Sequence, residues 1–102
     1  MPRHIIHKDG VYNVFCTIVD DCLYDSGLSL EDLRAELDPP DPLYFQDRLA
    51  RAHHNGCSSF RHSLDCCIKT NRSGPDETRL SREDFVKKYL TRRRAFERID
   101  RE

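Results

Sequence analysis

Arg3-His4-Ile5-Ile6-His7-Lys8-Asp9-Gly10-Val11-Tyr12-Asn13-Val14-Phe15-Cys16 decides the fold class. Asp9-Gly10 stands between two β-prone runs. Glycine tolerates the positive φ that a two-residue hairpin turn requires, so Asp-Gly in this setting marks a hairpin. Strands are expected over about 3–7 and about 11–16. A lone hairpin is marginal in water, so its apolar side chains must be covered by the rest of the chain.

Residues 17–102 are dominated by helix signals. Thr17-Ile18-Val19-Asp20 has the form of a capping box, and Ile18, Val19, Cys22 and Leu23 share one helical face, predicting a helix over about 18–25 with Gly27 as its stop. The rival reading continues the second strand through Val19 into a hairpin at Asp20-Asp21. Ser29 repeats the start signal, with Leu30, Leu33 and Leu37 at helical spacing. Asp38-Pro39-Pro40-Asp41-Pro42 breaks the chain, and Pro42 opens a helix that carries Phe45, Leu49 and Ala52 inward and ends at Asn55-Gly56. Ser58 or Ser59 is expected to cap a helix of about 60–70, with Phe60, Leu64, Cys67 and Ile68 as its buried stripe. Residues 71–76 are a turn region, and Ser81 with Asp84 starts a last helix of about 82–98. The expected fold is α+β and mostly α: a short N-terminal β-hairpin packed against about five short helices. Residues 1–90 form one small globular domain and 91–102 a basic helical C-terminal extension.

Gly56-Cys57-Ser58-Ser59, the Asn71-Arg72-Ser73-Gly74 turn and the Leu80-Ser81-Arg82-Glu83-Asp84-Phe85 helix entry resemble small proteins of bacteriophages and prophages. The resemblance covers the second half of the chain. It implies an origin in a bacterial host cytosol and no mechanism.

Seventeen basic and eighteen acidic residues leave a net charge of −1. A general nucleic-acid binder carries a basic excess, so that role would rest on a local patch. No apolar run is long enough to span a membrane, and Met1 to His7 lacks the apolar core of a signal peptide. Five cysteines, two of them adjacent at Cys66-Cys67, read as reduced thiols of a cytoplasmic protein.

The richest chemistry by composition lies at 53–67. His53-x3-Cys57-x4-His62-x3-Cys66 offers two imidazoles and two thiols, the donor types zinc takes. Helical phase sets His62 and Cys66 together on the face opposite Phe60, Leu64, Cys67 and Ile68. The spacing lacks the paired Cys-x2-Cys of a finger. The preferred expectation is therefore no metal and no cofactor, with Cys67 packed as a small hydrophobe. Cys57 precedes a helix start, where thiols are acidified, but neither a base nor an orienting third group is identifiable. Asp20, Asp21 and Asp25 form an acidic cluster, but Asp20 and Asp21 already serve in the first turn of the expected helix, and Asp38 and Asp41 flank prolines as turn residues. With no phosphate loop, dinucleotide fingerprint or nucleophile elbow in the chain, a non-enzyme is expected.

The last helix supplies the expected interaction surface. Phe85, Tyr89, Phe96 and Ile99 share one face, interrupted by Arg92, while Lys87, Arg94, Arg98 and Arg101 line the other. The expected function is a small protein-binding module, a phage accessory protein acting on a host factor. It would dock through Lys87, Arg92, Arg93, Arg94, Phe96 and Arg98, with a self-dimer among the partners this face suits. The alternatives are a nucleic-acid binder using the same helix and a small structural zinc protein.

Overall fold

The computed structural model describes residues 3–36, 42–59, 63–92, 97 and 99. Strands β1 (Arg3–Lys8) and β2 (Val11–Cys16) pair antiparallel with Lys8 opposite Val11, so Asp9-Gly10 is the whole loop. Both loop residues have positive φ, 51° and 80°, as a primed hairpin turn requires. A third strand, β3 (Asp21–Cys22), pairs antiparallel with β2 to complete a sheet of order β1-β2-β3.

The helix expected over 18–25 is absent. Residues 17–20 are the turn between β2 and β3, and Asp20 takes the left-handed conformation at φ 54°. The rival hairpin reading is the nearer one. The apolar set at 18–23 fits a helix on paper, but Ile18 is 64% exposed at the turn and Cys22 and Leu23 point to opposite faces of the sheet. The ladder continues through Leu23, whose N–H donates to the Val14 carbonyl at 2.8 Å, and resumes at Leu28, which exchanges both backbone bonds with Tyr12.

Between those points residues 24–26 depart from the ladder, and the Asn13 side chain takes its place. Its amide nitrogen donates to the carbonyls of Tyr24, Ser26 and Tyr89 at 3.1, 3.3 and 3.0 Å. A bulged strand with one buried amide filling the gap satisfies backbone groups that would otherwise be stranded in the core.

Four α-helices occur among the described residues: α1 (Leu30–Glu36), α2 (Pro42–Asn55), α3 (Leu64–Thr70) and α4 (Arg82–Tyr89). The class is α+β. Ser29 and Ser81 cap α1 and α4 as expected, accepting from the N–H of Asp32 and Asp84. Pro42 opens α2, and Gly56 closes it at φ 81°. The start of α3 differs: Ser63 is its N-cap, accepting from Cys66 N–H, while Ser58 accepts instead from Ile5 N–H in the sheet. Phe60 and Leu37, expected in the core, lie outside the described residues, as does the Phe45 side chain.

Both faces of the small sheet are covered, which the alternating pattern of a one-sided hairpin does not anticipate. Ile5, Tyr12, Val14 and Leu23 pack with Leu33 of α1 and with Leu49 and Ala52 of α2. Ile6, Phe15 and Cys22 pack on the opposite side with Leu64, Cys67 and Ile68 of α3 and with Phe85 and Tyr89 of α4. Adjacent residues such as Ile5-Ile6 and Val14-Phe15 therefore each enter a different core.

The outer edge of β1 is also covered. Residues 56–58 run antiparallel to it, with His7 N–H donating to Gly56 O at 3.0 Å and Ser58 N–H to Ile5 O at 2.8 Å. Arg48 and Arg51 of α2 reach across to the carbonyls of Arg3 and Ser58, both at 2.8 Å. An edge paired in this way is no template for aggregation.

The C-terminal segment departs from the expected helix of 82–98. Helix α4 ends at Tyr89, whose carbonyl is taken by Asn13, and Leu90 leaves helical geometry at φ −120°, ψ 26°. Thr91 and Arg92 run beside Gly27, Glu97 bonds Asp25, and Ile99 N–H donates to Leu23 O. These described residues lie along 23–27. Gly27 is no helix stop: a side chain there would meet Val11 at 2.3 Å and the Thr91 backbone at 3.1 Å.

Candidate functional site

Three elements far apart in sequence bring an imidazole and two thiols together. His4 lies on β1, on the same side of the sheet as Ile6. Cys57 lies in the edge segment opposite Ile6. Cys67 lies on the inward face of α3, one turn beyond its Ser63 cap. The ligand atoms of His4, Cys57 and Cys67 all lie within 4.8 Å of one another. Cys57 is fully buried and Cys67 nearly so, while His4 is half-buried.

The two thiols face each other in the core, and their mutual interaction divides their acidities. Cys57 is lowered to about 7, first by the neighbouring Cys67 thiol and then, against the effect of burial, by the N–H groups of Ser59 and Ser58 and the charge of Arg48. Cys67 is pushed up, first by the neighbouring Cys57 thiol, then by burial and by the other thiols. Cys57 is therefore the more acidic of the pair. A buried thiol acidified by its surroundings is a candidate metal ligand or nucleophile rather than an inert hydrophobe.

The trio opens on one side to a cleft of about 320 Å³, whose walls include His4, Thr17, Asp20, Cys66, Cys67 and Thr70. Asp20 holds Arg72 at its rim in a solvent-exposed pair at 3.9 Å, the kind that contributes little to stability. Cys66 is half-exposed, and its thiol is lowered chiefly by hydrogen bonds from Ser63.

Of the four residues proposed from spacing, only Cys57 enters the trio. His53 is exposed on the last turn of α2, its ring 4.8 Å from that of His7 and 5.8 Å from that of His54. Cys66 stands on the cleft wall, and His62 lies outside the described residues. His4 and Cys67 complete the set instead. Cys67 is buried as its helical phase predicts, but it faces two other candidate ligands, His4 and Cys57. The signal for His4 was its even spacing from Ile6 on a strand, which acquires meaning only once α3 is known to cover that face.

Of the basic surface, Lys87 is exposed on α4 and Arg92 is paired with Asp32 at 3.5 Å. Arg93, Arg94, Phe96 and Arg98 lie outside the described residues. Of the acidic residues near the first turn, Asp21 is buried and accepts from the Ser73 hydroxyl, and Asp25 accepts from Glu97 N–H. No described helix is long and apolar enough to cross a membrane.

Gly56 and His7, bonded to each other across the sheet edge, carry expected outcomes of their own. Gly56, which aims Cys57, has φ 81°, and an added Cβ would stand 2.9 Å from Leu64 Cβ at the start of α3. Gly56→Ala combines left-handed strain with a displaced helix. It should lower unfolding free energy by on the order of 2–3 kcal/mol in urea titration; an unchanged midpoint refutes that strain.

The second is His7, which is buried against the rings of Tyr12 and His53, with Nε2 accepting Gly10 N–H at 2.9 Å. Burial, then the His53 charge, lowers its pKa below the ordinary 6.5, against a smaller opposing pull from Asp9. The unfolded chain thus takes up the proton first. The His7 contribution is whole above the unfolded value and is lost as pH falls below about 6.5 toward the folded one. Metal-free protein should lose stability as pH falls below about 6.5, and His7→Gln should flatten that slope; equal slopes would exclude His7 as its source.

The comparisons with known proteins add nothing to this geometry: no family model, no curated protein and no solved structure matches the chain.

Proposed function

We propose that this chain is a small metal-holding protein that binds one zinc-class ion through His4, Cys57 and Cys67. One observation carries the reading: an imidazole and two buried thiols, from three separate elements, converge within 4.8 Å. Zinc bonds of about 2.3 Å to sulfur and about 2.0–2.1 Å to nitrogen give tetrahedral edges of about 3.5–3.8 Å. The trio therefore needs to contract by about 1.3 Å at most. The donor types suit zinc, Co(II) or Cu(I) and exclude magnesium and calcium, which take oxygen ligands. The ion would join β1, the edge segment and α3, adding a link from α3, which meets the sheet through core packing, to the hydrogen-bonded β1 edge.

Metal analysis of protein purified without added metal tests the proposal. About one equivalent of zinc is expected. His4→Ala, Cys57→Ser and Cys67→Ser should each lose it, whereas His53→Ala should keep it. Metal-free wild-type protein that also fails to take up added zinc would overturn the reading. Retention by His4→Ala with loss in His53→Ala would show that the spacing-based set, not the trio, holds the ion.

A further inference from the structure

We infer that the ion's fourth coordination position opens into the adjacent cleft and takes an exogenous small thiol, with water there when no thiol is bound. The inference rests on the metal-holding reading and names the ligand class of the same site. The three donors found among the described residues leave a tetrahedral ion one position short. Sites of that kind bind solvent or substrate at the fourth place. Among the described residues, no other His, Cys, Asp or Glu joins the trio within 4.8 Å. The cleft that meets His4 and Cys67 has a volume of about 320 Å³, while a water molecule needs about 30 Å³. The space therefore accepts a ligand of several heavy atoms.

Charge and softness select the class. A divalent ion with two thiolates and one neutral imidazole has no net charge, so a neutral or monoanionic donor suits it better than a polyanion. Thiolate is the soft donor that such ions favour. On binding, the thiol gives its proton to solvent, its sulfur bonds the ion, and the bound water leaves. Phe15 supplies an apolar wall and Thr70 a polar one, which matches a short carbon chain with a polar end.

Among the described residues, the rival occupants are the protein's own Cys66 and Asp20, both on the cleft wall. Cobalt-substituted protein separates the cases, because the visible bands of Co(II) report the donor set. Co(II) is loaded into the full chain, and 2-mercaptoethanol is titrated in while protein-bound cobalt is measured after gel filtration. A saturable shift of the bands with cobalt retained is expected. It should persist in Cys66→Ser and Asp20→Asn and be lost in Thr70→Trp, which fills the cleft. Bands unmoved by thiol but altered in Cys66→Ser or Asp20→Asn would mean that the protein closes its own site, overturning the inference while leaving the metal reading intact. Cobalt stripped by the thiol would overturn it as well. Failure of wild-type protein to bind cobalt or zinc at all is a different result and removes the metal reading itself.

Discussion

Asn13→Ala should lower unfolding free energy by about 3–5 kcal/mol, a large part of the roughly 5–15 kcal/mol typical of a small domain. Asn13 is fully buried, and its side-chain amide donates to three backbone carbonyls on two segments: Tyr24 and Ser26 in the bulge beside β2, and Tyr89 at the end of α4. Its Oδ1 accepts the Val14 N–H at 2.7 Å. Removing the amide takes away no partner that water can easily replace, because the site lies beneath both the strand and the helix. Each buried polar group left short of a partner costs roughly 1–3 kcal/mol. The bulge and the end of α4 should loosen together, since one side chain holds both.

Asn13→Asp sharpens the test. The substitution nearly preserves volume but replaces two N–H donors with an oxygen that faces three carbonyls. A carboxylate there is buried and repelled, so its pKa in the folded state must rise above the unfolded value of about 3.9. The penalty is then full at neutral pH and relieved as pH falls toward the unfolded value. This variant should gain stability relative to wild type on acidification, the reverse of the slope assigned to His7. Urea titrations of both variants across pH check the point; Asn13→Ala within about 1 kcal/mol of wild type would show that the three carbonyls find other donors.

Asn13 also marks where sequence reasoning stops. Local chemistry is legible: Asp9-Gly10 as a hairpin turn, Ser29 and Ser81 as caps, Pro42 as a first helical residue, Asn55-Gly56 as a stop. Each is decided within four or five residues, by a φ angle or an orphan N–H. The turn at 17–20 misleads because Thr17 to Asp20 fits a capping box, and 18–23 can place apolar residues inward with either period. Pairing with Val14 and cover on both faces of the sheet settle it as strand, and neither is a local property. The same limit applies to the site. His4 and Cys67 are sixty-three positions apart, and only the stacking of α3 on β1 brings them together. Cys66, the thiol that helical phase places outward, lines the cleft, while Cys67, read as core, is both core and candidate ligand.

That double role gives the second large effect. Zinc should raise the unfolding free energy of wild-type protein by about 4 kcal/mol when free metal exceeds its dissociation constant about a thousandfold. Chelation should remove that increment. An ion bound only by the folded chain acts as a cross-link, and the links from residue 4 to residues 57 and 67 close long loops, whose closure carries an entropic cost in the unfolded chain. Because Cys67 holds its proton until metal displaces it, binding releases protons and the increment should shrink as pH falls. Cys67→Ser will alter the metal-free core as well, so the decisive quantity is the difference with and without zinc within each variant. That difference should vanish in Cys57→Ser and Cys67→Ser and survive in Cys66→Ser. An equal increment in all three would place the ion elsewhere, and no increment in wild type would leave Cys57 and Cys67 as a buried thiol pair that serves the core alone.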